Sequence, residues 1–327
     1  FVLSLGGNTG MAVRLAGRLG YPAYRYSFEP YWHPKLRRLF VHTEKAERRA
    51  RLLGAPPSRL ELVGNLVADA VAGAEPAPGK GTPHVYLNPG SRNGFAVHLI
   101  PFMIALADEL GERYPGARFV WPLSRLLSDE TVAAGIAGRE RATLGGIAGR
   151  RQGQGVLTPR GHRLELVPED ERYAHMQAAD LAVTIPGTNT LELGLAGVPS
   201  IVMLPLNRPE AIPLEGPGHW LALLPLVGTS LKRQAVRLAA PHFPVALPNS
   251  LSGEELMIEI KGRVTLAPVL EQAQALLDAP EERARRRQRL LETMPAAGAA
   301  ERLLAGIVRD MGLAEEPDRA RTDTTRA

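Results

Sequence analysis

Two short segments combine residue types that suit an anionic, sugar-bearing ligand, and a third opens a helix. The first is Asn88-Pro89-Gly90-Ser91-Arg92, set between an apolar run at 84–88 and a long helical pattern. Gly90 lets the backbone approach a ligand closely. Ser91 and the neighbouring amides can bond an anion, and Arg92 brings a planar fork of donors suited to phosphate. The same residues would also make a plain strand-to-helix turn, since Pro-Gly is common turn chemistry. The second segment is Pro186-Gly187-Thr188-Asn189-Thr190-Leu191-Glu192, again between a strand-like run and a helix. Glycine with threonines at a helix start forms a natural phosphate cradle, because the first-turn N–H groups lack partners and the dipole favours anions. Glu192, read as lying in the first turn, can accept two hydroxyls of a ribose. Thr188 or Asn189 could equally cap the helix, with Glu192 satisfying backbone donors. The third segment, Leu247-Pro248-Asn249-Ser250 ahead of Gly253-Glu254-Glu255, reads by itself as an N-capped helix start.

Acid–base candidates are sparser. No pair among the 8 histidines has a metal-binding spacing. His33, beside Trp32, and Glu29, in Ser27-Phe28-Glu29-Pro30, are the candidates for a general base, provided that either reaches an acceptor hydroxyl. The basic run Arg283, Arg285, Arg286, Arg287 and Arg289 reads as a solvated helix face, with attraction to an anionic membrane as the alternative. The apolar run 220–227 reads as core rather than as a membrane-dipping surface.

These segments act together only if the surrounding elements bring them to one place. Strand-like and helix-like patterns alternate almost throughout. Strands are expected at 1–5, 23–26, 39–43, 60–63, 84–88, 118–121, 163–167, 181–185 and 200–203. Helices are expected at 11–19, 44–53, 95–113, 129–148, 169–178, 190–196, 253–260, 266–278, 281–294 and 299–311. Strands separated by helices imply parallel β-α units. A small-residue, Pro/Gly-rich stretch at 72–82 breaks the pattern and reads as a linker. The expected fold class is α/β, with two Rossmann-like domains around a cleft. Residues 1–75 would form an incomplete first domain, residues 76–314 a nucleotide-binding domain with terminal helices, and residues 315–327 a frayed tail. In such sheets ligands sit beyond the carboxyl ends of the strands.

Composition narrows the chemistry. The chain has 327 residues, ordinary globular proportions of hydrophobic (45%) and charged (22%) residues, and no cysteine. Thiolate nucleophiles, disulfides, iron–sulfur clusters and cysteine-ligated zinc are therefore excluded. Aromatic residues, at 5%, are too few for base-stacking platforms, so nucleic acid is not an expected partner. The net charge of +5 favours anionic partners. Long uncharged runs such as 93–107 and 216–231 fall short of a membrane-spanning helix. The sequence begins at Phe1 inside an apolar run and reads as a processed form or fragment.

A Pro-Gly-Ser-Arg turn, then Gly-Thr-x-Thr-Leu-Glu, then Leu-Pro-Asn and Thr265-Leu266-Ala267, resembles lipid A disaccharide synthase and its relatives. The resemblance runs from Tyr86 to about Met311. Upstream, Trp32, Arg37 and Val63-Gly64 fall where the family has a Trp, a basic residue and a Val-Gly turn. The resemblance implies an inverting glycosyltransferase of the two-Rossmann-domain type, moving an acylated glucosamine from UDP to a lipid-linked or sugar acceptor. By it, Arg92 matches a functionally important arginine, Gly90 and Ser91 its turn, Gly187, Thr188, Asn189, Thr190 and Glu192 the nucleotide-sugar loop, and Asn249 the Pro-Asn asparagine. Two positions depart from the family. The loop at 6–10 has no carboxylate where the family has an acidic residue, and Asn65 replaces a histidine after Val63-Gly64. No cofactor or metal is implied beyond the UDP-sugar donor, because Arg92 and the helix start at Thr188 can neutralise a diphosphate. Expected partners are the UDP-sugar, a glycolipid or sugar acceptor, the membrane in peripheral contact and a second copy of the chain. The expected location is cytoplasmic, at the inner face of the membrane. Two alternatives share the architecture: a UDP-sugar 2-epimerase, and a non-catalytic nucleotide-sugar-binding relative.

Overall fold

The computed structural model describes residues 1–5, 9–27, 32–78, 82–207 and 243–313, and these divide into two units. Residues 1–72 and those from 295 onward form the first, and residues 73–294 the second. In the first, β1 (Val2–Ser4), β2 (Ala23–Ser27), β3 (Arg38–Val41) and β4 (Leu60–Leu62) make a four-stranded sheet in sequence order. All three pairings are parallel. Helix α1 (Thr9–Leu19) connects β1 to β2, α2 (Glu44–Leu52) connects β3 to β4, and α3 (Leu66–Ala72) follows β4. Local chemistry starts α2: the Thr43 hydroxyl accepts the Ala46 N–H at 3.2 Å, with Glu44 and Glu47 in the first turn, where the helix dipole favours anions.

The second unit holds an eight-stranded sheet. Its strands are β5 (His84–Leu87), β6 (Arg118–Leu123), β7 (Arg150–Arg151), β8 (Gly155–Leu157), β9 (Arg163–Pro168), β10 (Leu181–Thr184), β11 (Ser200–Pro205) and β12 (Ile258–Gly262), in the order β12-β11-β10-β5-β6-β9-β8-β7. Six strands run parallel, and the β7–β8 hairpin closes one edge antiparallel. The helices are α4 (Asn93–Arg113), α5 (Asp129–Ile136), α6 (Arg172–Ala178), α7 (Thr188–Leu195), α8 (Leu247–Ser252), α9 (Leu266–Asp278) and α10 (Pro280–Thr293). The central strands are buried on both faces, as their unbroken apolar runs require. Among the described residues α4 is the one helix long and apolar enough to cross a membrane. It is a core helix here, with Leu99, Ile100, Phe102, Ile104 and Leu106 fully buried in the main cluster around β5 and β6.

Three expectations need correction. The terminal helix α11 (Ala299–Asp310) packs with the first unit, not with the second, where 76–314 had placed it. Asp69 of α3 caps it from outside: its carboxylate accepts the N–H groups of Gly298, Ala299 (3.2 Å) and Ala300 (2.6 Å). At the other end Arg38 pairs with Asp310 at 2.5 Å. Leu303 and Ile307 join Tyr24, Tyr26, Phe40 and Val63 in one buried cluster. The helix expected at 253–260 is absent. Gly253, at φ +75°, ends α8 in a left-handed cap, and the alternating Ile-Glu-Ile-Lys that follows pairs with β11 as an edge strand. The helix expected at 129–148 stops at Ile136. Gly138 turns left-handed at φ +70°, and the chain continues into a short 3-10 turn and the hairpin.

Candidate functional site

Strand order reverses at β5. From β5 the chain moves to β6 and β9 on one side, then returns to place β10, β11 and β12 on the other. Such a reversal leaves a crevice at the carboxyl ends of the two central strands. The first two sequence segments leave those two ends, because β5 and β10 are parallel neighbours, with Leu87 opposite Val183. After β5, the Asn88 side chain accepts the Gly90 N–H at 2.8 Å and sets a tight turn, with Gly90 at φ +86°. That bond uses the Gly90 amide internally. Ser91 and Arg92 are exposed beyond it, and Arg92 is the N-cap residue of α4 without a side-chain cap bond.

After β10 the arrangement repeats. Gly187 precedes α7 at φ 155° and ψ −170°, a region only glycine occupies readily, and it too caps without a side chain. Helix α7 begins at Thr188, so Glu192 lies in its second turn rather than its first and is not a cap residue. Thr188 is exposed at the helix start. Asn189 turns inward, its amide donating to the Thr184 hydroxyl. Thr190 is fully buried; its hydroxyl donates to the Gly187 carbonyl at 2.8 Å and accepts the Leu247 N–H at 3.2 Å. Thr190 therefore shapes the loop and fastens α8 to α7, leaving no hydroxyl for a ligand. The chain thus opens two helices from neighbouring strand ends, neither capped by a side chain, with Arg92 as the N-cap residue of α4.

Glu192 is held on one side only. Its Oε1 accepts the Tyr173 hydroxyl at 2.9 Å and faces the Arg172 guanidinium at 3.5 Å. The Glu192 side chain is 14% exposed. Burial raises its pKa, and Arg172 and the Tyr173 hydrogen bond oppose that rise. Tyr173 is pushed up to about 12 by burial and by the neighbouring carboxylate. Arg172 stacks over the Tyr173 ring at 4.1 Å and donates to its hydroxyl at 2.7 Å. The sequence reading missed both residues. Their signal was weak: an Arg-Tyr pair at the head of a short helix, with no spacing that ties it to a glutamate 19 positions on.

Asn249 is placed differently from the expectation. It is buried, and both ends of its amide are used: Nδ2 donates to the Met257 carbonyl at 2.8 Å and to Glu259 at 2.9 Å, and Oδ1 accepts the Met257 N–H at 2.8 Å. The sequence alone suggests an N-cap and the family resemblance a catalytic asparagine; Ala246, not Asn249, is the N-cap residue of α8. The bonds to Met257 and Glu259 make Asn249 a brace between α8 and the start of β12. Glu259, unremarked in the sequence, accepts the N–H groups of Val245 and Ala246 at 2.9 Å each and pairs with Lys261 at 2.8 Å. Burial would raise its pKa, but Lys261 and those amides outweigh it and hold the carboxylate ionised.

His33 lies in the first unit, half-buried, and its Nδ1 accepts the Lys35 N–H at 3.2 Å. Glu29 falls outside the described residues, as do 6–8 of the glycine-rich loop, the apolar run 220–227 and the tail 315–327. Asn65 is buried, and its Oδ1 accepts the Val67 N–H at 3.0 Å at the start of α3. Much of the arginine run on α10 is tied down. Arg283 donates to the Leu276 and Leu277 carbonyls at the end of α9. Arg285 and Arg286 share Glu282, and Arg289 bridges Glu254 and Glu292. Among the described residues no group of three or more potential ligands could hold a metal ion.

A family model described as lipid-A-disaccharide synthetase matches residues 158–209, the stretch from just before β9 through β11 that contains the Gly187–Glu192 loop. The lipid-A-disaccharide synthase of Geobacter metallireducens is 29% identical over 231 residues, covering 69% of this chain and 48% of that protein. That of Neisseria gonorrhoeae is 26% identical over 268 residues, covering 77% of this chain and 58% of that protein. The chain is thus similar in sequence to the lipid-A-disaccharide synthases, and it spans about half the length of these relatives. In fold it is similar to a Listeria monocytogenes structure assigned as a UDP-N-acetylglucosamine 2-epimerase, with a TM-score of 0.58 at 15% identity over 96% of this chain and 76% of that one. The UDP complex of S. aureus MnaA gives a TM-score of 0.50 at 14% identity over 96% of this chain and 75% of that one. These likenesses show the fold, α/β with Rossmann-like units.

Proposed function

We propose that the second unit binds a UDP-sugar at the carboxyl ends of β5 and β10, and that the protein acts as a glycosyltransferase of the lipid-A-disaccharide synthase kind. One observation carries the reading: adjacent parallel strands, at the reversal of strand order, each feed a helix whose N-terminus no side chain caps, with Arg92 on one and Glu192 on the other. Helix N-termini and a guanidinium match a diphosphate, and a carboxylate matches the two hydroxyls of a ribose. The sequence likeness to lipid-A-disaccharide synthases, and the UDP present in the S. aureus MnaA structure, support the choice of nucleotide.

In this reading an acceptor hydroxyl attacks the anomeric carbon as the bond to UDP breaks, so the sugar inverts and UDP leaves as the anion. The exposed start of α7 at Thr188 and the Arg92 guanidinium take up charge that grows on the departing diphosphate. Thr190, Asn189 and Asn249 hold the loop in shape without touching substrate. His33, and Glu29 beyond the described residues, are the candidates for the base that accepts the hydroxyl proton. The acceptor class is an acylated glucosamine phosphate, by likeness to the relatives. Incubation with a UDP-acylglucosamine donor and that acceptor, followed by mass spectrometry, tests the reading: a disaccharide product with one UDP released per transfer is expected. The fold likeness to 2-epimerases makes one outcome decisive against it: epimerised UDP-sugar formed without acceptor.

A further inference from the structure

Glu192 is held asymmetrically. Both groups that reach it, the Tyr173 hydroxyl at 2.9 Å and the Arg172 guanidinium at 3.5 Å, address the same oxygen, Oε1. Among the described residues no hydrogen bond reaches Oε2. The pair is itself held rigid. Arg172 stacks on the Tyr173 ring at 4.1 Å, donates to its hydroxyl at 2.7 Å, and is anchored by a 3.2 Å bond to the Glu169 carbonyl. Glu169 is fixed in turn, accepting the Ser124 hydroxyl at 3.2 Å and the Arg125 N–H at 2.8 Å. The chain of contacts runs from the loop after β6, through the end of β9 and the start of α6, to the second turn of α7.

We propose that Tyr173 and Arg172 are positioning residues that clamp Oε1 of Glu192, so that Oε2 is turned toward the hydroxyls of the bound nucleotide's ribose. The proposal rests on the reading of Glu192 as the ribose acceptor. A carboxylate with both oxygens free would swing about its last bond, and a neutral carboxyl would lose half its accepting capacity. Clamping one oxygen with a neutral O–H and a cation removes the first fault and opposes the second. A phenol alone would orient the group without stabilising its charge; a guanidinium alone would compete with the ribose for both oxygens in a bidentate fork. Stacking Arg172 on Tyr173 keeps the guanidinium at 3.5 Å, beyond a close fork.

The charged and titratable groups around Glu192 are Arg172 and Tyr173 of α6, Glu169 of the turn before it and Tyr86 of β5. Of these, Arg172 and Tyr173 favour the ionised carboxylate and Glu169 opposes it. Removing the Tyr173 hydroxyl must therefore move the protonation of Glu192 to higher pH, and UDP affinity with it.

The test is equilibrium titration of the full chain with UDP at pH 7.5 and at pH 5.5, for the wild type, Glu192→Gln, Tyr173→Phe and the double variant. Glu192→Gln is expected to weaken UDP roughly tenfold to a hundredfold at pH 7.5. Tyr173→Phe is expected to weaken it about threefold to tenfold at pH 7.5 and more at pH 5.5. The double variant should bind no more weakly than Glu192→Gln alone, since Tyr173 acts through that carboxylate. Losses that add in the double variant overturn the proposal, as does a Tyr173→Phe protein with wild-type affinity at both pH values. An unchanged affinity in Glu192→Gln overturns the ribose reading itself, and the clamp with it. If Tyr173→Phe fails to fold, Arg172→Gln, which leaves the phenol in place, is read by the same double-variant comparison.

Discussion

Gly90 and Ile185 touch across the reversal of strand order: a Cβ placed on Gly90 would sit 2.6 Å from Ile185 Cδ1. The loops leaving β5 and β10 are therefore packed together as one surface, and the missing side chain is what lets them meet. Gly90 also adopts φ +86°, where any other residue is strained. Gly90→Ala is expected to destabilise the second unit by roughly 1–3 kcal/mol and to weaken UDP by parting the two loops. Chemical denaturation together with a UDP titration reads both; an alanine variant with unchanged UDP affinity would show that the loop spacing does not matter to binding.

Much of this surface was legible in the sequence. The two glycine-containing segments stood out because each follows an apolar strand and opens a helix, and both lie at the carboxyl edge of the sheet. Strand adjacency was not legible, since the order β10-β5-β6 depends on long crossovers rather than on any local pattern. The same limit hid the partner of Glu192: Tyr173 reaches it only because α6 and α7 pack near one another. Asn249 was misread for a different reason. An asparagine before a helix looks like a cap or a ligand, and its buried bonds to Met257 and Glu259 depend on an edge strand that the pattern at 253–260 had suggested was helix. The glycine at 253 was the signal that could have corrected this. The terminal helix was assigned to the wrong unit because Asp69, which caps it, lies 230 positions away from Ala299.

That cap can be tested on stability alone. Asp69→Ala removes an acceptor for three N–H groups at the start of α11, and should destabilise the first unit by about 1–2 kcal/mol. Asp69→Asn, which keeps an acceptor oxygen, should recover part of the loss. Thermal unfolding and hydrogen exchange at 299–310 give the readout. Equal stability of the wild type and the alanine variant would mean that α11 is held by Leu303, Ile307 and Arg38 without the cap.

Acid should weaken the second unit through a buried histidine. His84, at the start of β5, is driven from its ordinary value of 6.5 down to about 4 by burial, with help from Arg118 and His175. His175, 5.6 Å away between ring centres, is lowered in the same direction by burial. Because the unfolded chain binds the proton more readily, stability is complete above pH 6.5 and falls as pH drops toward 4. The loss traceable to His84 is on the order of 2 kcal/mol. Denaturation curves between pH 7.5 and 4 should show this slope, and His84→Leu should flatten it. A variant slope equal to the wild type would remove His84 from the acid response.

Arg92 separates phosphate from sugar recognition. Arg92→Ala is expected to weaken UDP roughly tenfold or more while leaving uridine within about twofold, because the partner proposed for the guanidinium is the diphosphate. Calorimetric titration with the two ligands decides it. Equal weakening of both would place Arg92 away from the phosphates and leave the two helix starts as the charge partners.

In the proposed function a nucleotide diphosphate seats on the two helix starts after β5 and β10. Hydrogen–deuterium exchange of the full chain, with and without saturating UDP, tests it most directly. Saturable binding is expected, with slowed exchange confined to peptides spanning 88–94 and 186–193 and the neighbouring start of α6. Binding that leaves those peptides unchanged, or protection centred on another edge of the sheet, would contradict it.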